Sequence, residues 1–129
     1  MTKILIVEDD RDLVLGLSIR LTSEGYGVLS AHDGATAVLA ATKGLPDLIL
    51  LDIGIPGGNG IIVLNLLKDD PKLASIPVIV LTGRDPEQLR EQTLGLGAVA
   101  FFQKPVDNNE LLQLIRRHTC KQEAGDGNK

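Results

Sequence analysis

The chain has 129 residues, with 13 Lys and Arg against 17 Asp and Glu, and its formal net charge is −4. This length fits one domain, and the acidic balance with only 2% aromatic residues argues against a nucleic-acid module that relies on basic charge or base stacking. A single cysteine, Cys120, excludes an internal disulfide and a Cys-rich zinc site.

The apolar runs of the chain are short. Ile4–Val7 stops at Glu8, and the runs Leu48–Leu51 and Val78–Leu81 have four residues each. A membrane span needs about 18 apolar residues, and a signal-peptide core is also longer than these runs. We therefore expect a cytoplasmic protein without a membrane segment and without direct nucleic-acid binding.

Five apolar runs alternate with segments that are compatible with helices. None of the runs alternates apolar with polar residues, which favours strands that are covered on both faces. The order predicts an α/β fold, a doubly wound parallel sheet of five strands with five helices and right-handed crossovers. The runs are Lys3–Val7, Val28–Ala31, Leu48–Leu51, Val78–Leu81 and Ala100–Phe102.

Helical segments are indicated by apolar spacing and by residues typical of helix ends. Leucines recur every fourth residue in the first helix, and Asp85-Pro86 and Asp107 precede the fourth and fifth helices as N-cap candidates. Glycines mark three helix ends. These residues are Leu13, Leu17 and Leu21 for the spacing, and Gly25, Gly44 and Gly95 for the ends. We interpret residues 1–120 as one domain and Lys121–Lys129 as a short polar tail.

Polar residues follow four of the predicted strands directly. Glu8 and Asp9 follow the first strand, Asp52 the third, Thr82 the fourth and Lys104 the fifth. Since the carboxyl ends of parallel strands meet at one edge of the sheet, we expect these side chains to converge there. Three carboxylates in one pocket repel one another, and a hard divalent cation such as Mg²⁺ relieves that repulsion.

Four segments in this order resemble the receiver domain of two-component response regulators. They are Val7–Asp10, Leu50–Gly60, Val80–Gly83 and Phe101–Pro105, and the resemblance covers about Thr2 to Thr119. It implies the flavodoxin-like (CheY-like) fold with strand order 2-1-3-4-5.

The resemblance also implies a role for each site residue. Asp52 would be the phosphoryl acceptor, and Glu8, Asp9, Asp52 and the backbone carbonyl of Gly54 would bind Mg²⁺, with Asp10 a less essential third acid. Thr82 and Lys104 would contact the phosphoryl group. Thr82, Phe101 and Pro105, the last after a peptide bond that is usually cis, would form the switch.

The partners implied are a sensor histidine kinase or phosphotransfer protein and a downstream protein. The downstream protein would bind the surface made by the fourth helix, the fifth strand and the fifth helix. The chain would then be a signalling switch more than an enzyme, although it assists its own phosphorylation and dephosphorylation.

Two other classes of protein fit parts of the pattern. A small hydrolase that forms an aspartyl-phosphate would need a second acid two residues after Asp52, where the chain has Gly54. A flavodoxin-like cofactor binder would need a phosphate-binding loop after the first strand, where the acidic residues repel phosphate. The sequence itself identifies neither the kinase nor the pathway.

Overall fold

The computed structural model describes residues 1–55, 60–83 and 86–119, apart from the side chains of Pro86 and Gln88. Strands and helices alternate through the described chain. The strands are β1 (Lys3–Val7), β2 (Gly27–Ala31), β3 (Leu48–Asp52), β4 (Val78–Thr82) and β5 (Ala100–Gln103). The helices are α1 (Arg11–Ser23), α2 (Gly34–Gly44), α3 (Gly60–Asp69), α4 (Pro86–Gly95) and α5 (Asn108–Thr119).

All strand pairs are parallel, and the order across the sheet is β2-β1-β3-β4-β5. The predicted fold class, element count and strand order are therefore confirmed. The central strands β3 and β4 are buried at every position, whereas the edge strands expose Ser30 and Gln103. The edge strands are nevertheless covered on both faces, as predicted, since Leu29 and Phe101 pack against one core and Val28 and Phe102 against the other.

The sheet separates two apolar cores. One core packs α2 and α3 against the sheet and includes Val63, Leu67 and Phe101, while the other packs α1 and α5 and includes Leu17 and Leu111. None of the helices in the described part of the chain is long and apolar enough to cross a membrane.

Aspartates cap the helices that follow strand ends. The side chain of Asp107 accepts hydrogen bonds from the backbone N–H groups of Asn109 and Glu110 at 2.8 and 3.2 Å, which confirms this predicted N-cap. Asp33 caps α2 in the same way. The Asp85 cap predicted for α4, together with Cys120 and the tail Lys121–Lys129, lies outside the described residues.

Two of the three predicted glycine ends differ in detail. Gly25 has a φ of 93° after α1, as expected for a C-terminal glycine. At the end of α2, however, the left-handed residue is Leu45 rather than Gly44, and beyond α4 the glycine with positive φ is Gly97. A Cβ at position 44 would lie 2.5 Å from Cδ1 of Leu29, so a larger residue there would require the end of that flexible side chain to move.

Candidate functional site

The sheet places four polar residues at the carboxyl ends of its strands. Glu8 follows β1 and Lys104 follows β5, whereas Asp52 and Thr82 are the last residues of β3 and β4. The prediction that Asp52 and Thr82 follow their strands is therefore off by one residue. Both residues still pair with the neighbouring strand, Asp52 with Leu81 and Thr82 with Gln103, so their backbone positions are fixed by the sheet.

Backbone hydrogen bonds fix the chain at the site. The N–H of Glu8 donates to the carbonyl of Ala31 at 3.0 Å, and the N–H of Lys104 donates to the carbonyl of Thr82 at 2.8 Å. Since both bonds continue the parallel ladder beyond the strand ends, the side chains of Glu8 and Lys104 start from rigid backbone. The site is consequently built on the sheet rather than on a free loop.

Three carboxylates meet at this edge. Carboxylate oxygens of Glu8, Asp9 and Asp52 all lie within 4.8 Å of one another. Glu8 is 2% exposed and Asp52 is 6% exposed, while Asp9 faces solvent. The cluster therefore contains two buried carboxylates and a third at the surface.

Lys104 joins the two buried carboxylates. Its Nζ lies 2.6 Å from Oε1 of Glu8 and 3.2 Å from Oδ2 of Asp52. Asp52 also accepts a hydrogen bond at Oδ1 from the backbone N–H of Gly54 at 2.9 Å. One ammonium group thus offsets part of the negative charge of the cluster.

The pKa values of Glu8 and Lys104 are both raised, although burial and pairing act in opposite directions on each group. Burial raises the pKa of Glu8 above its ordinary value of 4.5, although the hydrogen bond from Lys104 opposes the shift. Burial acts to lower the pKa of Lys104, but the hydrogen bond to Glu8 and the charges of Asp52 and Glu8 outweigh it and raise that pKa. The ammonium form of Lys104 is therefore favoured at neutral pH.

Asp10 has a role that the sequence did not indicate. Its carboxylate caps α1 by accepting from the N–H groups of Asp12 and Leu13 at 3.0 and 3.2 Å. Its own N–H donates to Oε2 of Glu8 at 3.1 Å. Asp10 therefore orients Glu8 through the backbone, and an acid directly before a helical segment is the signal that could have revealed the cap.

Two of the predicted switch residues, Thr82 and Phe101, lie on the α4 side of the sheet, whereas Pro105 lines a pocket with Leu17 and Leu111 on the α1 and α5 side. Thr82 is 1% exposed and Phe101 is 5% exposed. The Lys104–Pro105 peptide bond is cis, as the resemblance implies. Phe101 is the register partner of Val80, and Thr82 follows two residues later on the same face of β4.

The donor set fits Mg²⁺ in its chemistry. Every ligand atom that Glu8, Asp9 and Asp52 offer is a carboxylate oxygen, the type of ligand a hard divalent cation takes in proteins. Gly54 lies beside Asp52, and a Cβ at position 54 would be 3.6 Å from Oδ1 of Asp52, an ordinary contact. The geometry at this edge is therefore compatible with a cation held by oxygen ligands.

Comparison with known proteins gives a consistent result. The family model described as "Response regulator receiver domain" matches residues 4–116. Response regulator PleD of Caulobacter vibrioides is 43% identical over 91% of this chain and 26% of its own length. Transcriptional regulatory protein CpxR of Klebsiella pneumoniae is 44% identical over 90% of this chain and 48% of its own length.

A solved structure has the same fold over nearly the whole chain. The CheY-like response regulator receiver domain protein of Methanospirillum hungatei superposes with a TM-score of 0.88 at 27% identity, covering 97% of this chain and 98% of its own. The chain spans about a quarter to a half of the two curated relatives named above. From its match to the family model over most of its length, the chain belongs to the response regulator receiver domain family of two-component systems.

Proposed function

We propose that this domain accepts a phosphoryl group on Asp52 from the phosphohistidine of a sensor histidine kinase or phosphotransfer protein. The observation that carries the proposal is the buried carboxylate of Asp52, held between Lys104 and the other acids at the carboxyl edge of the sheet. Membership of the receiver family supports the same reaction.

The transfer needs no covalent step from other residues of the chain. An oxygen of Asp52 forms a bond to phosphorus while the bond from phosphorus to the donor's imidazole nitrogen breaks and that nitrogen keeps the electron pair. The product is an acyl phosphate on Asp52. Because the chain positions the groups and offsets charge but turns over no external substrate in this step, we propose a phosphoacceptor rather than an enzyme.

Lys104 and Thr82 would bind the phosphoryl oxygens. The Nζ of Lys104 lies 3.2 Å from Asp52 and can donate to an added anionic oxygen. Thr82 ends the neighbouring strand β4 and offers a hydroxyl at the same edge. A contact that exists only after phosphorylation is what shifts an equilibrium between two conformations.

We further propose that Glu8, Asp9, Asp52 and the carbonyl of Gly54 hold Mg²⁺. When bound, the ion would offset the charge of the carboxylates and of the incoming phosphoryl group. Asp10 keeps its carboxylate on the N-terminus of α1, so it would act on this site through its N–H to Glu8.

The downstream partner would bind the surface made by α4, β5 and α5. Leu94 of α4 and Val99, next to β5, are each 40% exposed, and it is membership of the receiver family that supports this surface. The assignment would be supported if phosphodonor treatment increased the amount of partner captured by wild type but not by Asp52→Asn. Equal capture in both states would argue against it.

Intact-mass spectrometry tests the phosphoacceptor. The chain is incubated with Mg²⁺ and a small-molecule phosphodonor, and wild type should gain one phosphoryl group. Asp52→Asn should gain none, while Asp69→Asn, an exposed aspartate of α3, should behave as wild type. An adduct that persists in Asp52→Asn would overturn the proposal, and sustained release of phosphate from added phosphate esters would favour a hydrolase instead.

A further inference from the structure

Helix α4 is held to the sheet by less apolar surface than its neighbour α3. Among the side chains of α4 that the structure describes, Thr93 is fully buried and Leu89 is partly buried against the core. The Thr93 hydroxyl donates to the carbonyl of Leu89 at 2.8 Å, within the same helix. By contrast, α3 buries Val63 and Leu67. Any further contact between α4 and the sheet therefore contributes a larger share of the packing of α4 than the same contact would for α3.

That contact is between Arg90 of α4 and Phe101 of β5. The guanidinium carbon of Arg90 lies 5.3 Å from the centroid of the Phe101 ring, within the range of a cation–π interaction. Phe101 is 5% exposed and packs in the same core as Val80 and Leu89. The ring thus lies between the sheet and α4, with the cation of Arg90 over it.

We propose that Arg90 is a positioning residue that holds Phe101 in its buried position and thereby keeps α4 packed on β5. The guanidinium is attracted to the ring only while the ring stays beneath it, so the contact favours the inward ring over an outward one. A cation–π contact at an exposed arginine changes such an equilibrium by roughly two- to fivefold.

The position of the ring links this contact to the candidate site. Phe101 is the register partner of Val80, and Thr82 lies two residues further along β4 on the same face. A change in the packing of Phe101 would therefore be adjacent to Thr82. This consequence for signalling rests on the proposed function, whereas the role of Arg90 in the unmodified chain does not.

Nuclear magnetic resonance of labelled phenylalanine rings tests the proposal directly. The chain has two phenylalanines, so ring labelling gives one signal set for Phe101 and one for Phe102, which packs against the opposite core. Broadening by a soluble paramagnetic agent measures how far each ring is exposed. We expect Arg90→Met to raise the exposed population of Phe101 by roughly two- to fivefold and to leave Phe102 unchanged.

Two further variants separate charge from packing. Arg90→Lys keeps a cation on a flexible stem and should protect Phe101 better than Arg90→Met does. Arg117→Met removes an exposed arginine from α5 and should leave both rings as in wild type. If Arg90→Met fails to fold, Arg90→Gln takes its place in the same comparison.

Three results would overturn the proposal. Equal protection of Phe101 in Arg90→Met and wild type would show that the core alone holds the ring. Equal exposure in Arg90→Lys and Arg90→Met would show that the cation is not responsible, and parallel exposure of Phe101 and Phe102 would indicate general loosening. All of these measurements use unphosphorylated protein, so they are independent of whether Asp52→Asn blocks phosphorylation.

Discussion

Replacing Lys104 by methionine would remove an ammonium that contacts the two buried carboxylates. Methionine keeps much of the length of the side chain but leaves Glu8 and Asp52, which are 2% and 6% exposed, without that cation. The variant therefore tests how much the charge of Lys104 stabilises the folded chain. We expect a loss of stability at pH 7 in the absence of Mg²⁺.

The size of the loss follows from the geometry. Two carboxylates with oxygens within 4.8 Å of each other repel by at least about 3.5 kcal/mol at an effective dielectric constant of about 20. Removing one partner of a fully buried ion pair costs about 3–5 kcal/mol, but the Lys104 side chain is 24% exposed and water screens the site. We therefore expect the free energy of unfolding to fall by about 2 kcal/mol.

The loss should depend on pH and on Mg²⁺. Without Lys104 the pKa of Glu8 rises further above 4.5. The contribution of Glu8 to the stability of the variant is then fully present below pH 4.5 and is lost as pH rises through the folded-state pKa, so the deficit against wild type should be largest above that pKa. Mg²⁺ at about 100 times its Kd would return about 2.7 kcal/mol. Mg²⁺ should stabilise the variant more than wild type, because in the variant no Lys104 ammonium competes with the ion for the carboxylates of Glu8 and Asp52.

Urea unfolding followed by far-UV circular dichroism measures these differences. Lys72→Met, at an exposed lysine of the turn after α3, is the matched control and should change stability by no more than about 0.5 kcal/mol. Equal stability of Lys104→Met and Lys72→Met at pH 7 without Mg²⁺ would refute the argument from charge.

Four further variants test the helix caps and packing. Asp33→Ala removes the cap of α2; its hydrogen bonds with Thr36 lower the pKa of Asp33 below 3.8, so the advantage of wild type should be present above pH 3.8 and disappear as pH falls through the folded-state pKa. Lys68→Met removes an Nζ that donates to two backbone carbonyls at 3.1 Å each, and should cost about 1–3 kcal/mol in urea unfolding. Gly60→Ala places a Cβ 2.5 Å from Cα of Ile53, so it should lower the free energy of unfolding by about 1–3 kcal/mol, seen as a lower thermal midpoint. Gly16→Ala, where a Cβ meets nothing within 4 Å, should stabilise α1 by about 0.5–1 kcal/mol.

Each of these expectations has an outcome that contradicts it. A constant difference between Asp33→Ala and wild type across the acid range would show that the carboxylate charge does not act in the cap. Wild-type stability of Lys68→Met would mean that water replaces its hydrogen bonds without cost. Equal midpoints for the two glycine variants would contradict the packing described around Gly60.

Most of the fold was predictable because the pattern of apolar runs is strong. The runs of β1, β3 and β4 are covered on both faces, so nearly every residue in them is apolar and their boundaries are marked by charges such as Glu8. Asp52 and Thr82 were placed beyond their strands because a polar residue ended each run. In the structure Asp52 and Thr82 belong to the strands, because a polar side chain can be buried where other polar groups surround it.

The finer features depend on contacts between distant residues. The resemblance implies that Asp10 is a less essential third acid of the site, but its carboxylate binds the start of α1, a local preference that competes with a metal role. The contact of Arg90 with Phe101 joins two elements whose packing no local pattern specifies. Such pairs become visible only when the sheet order and helix positions are known.

The ion pair between Glu8 and Lys104 also bears on how the chain folds. Its partners are separated by 96 positions, and those of the Asp52–Lys104 pair by 52. β5, which brings Lys104, is the last strand in the sequence and an edge of the sheet. A folding chain that has paired β1 with β3 but not yet docked β5 therefore holds two converging carboxylates with no ammonium between them. Assembly of the site thus depends on contacts between distant residues, and its electrostatic balance is complete only when β5 has joined the sheet.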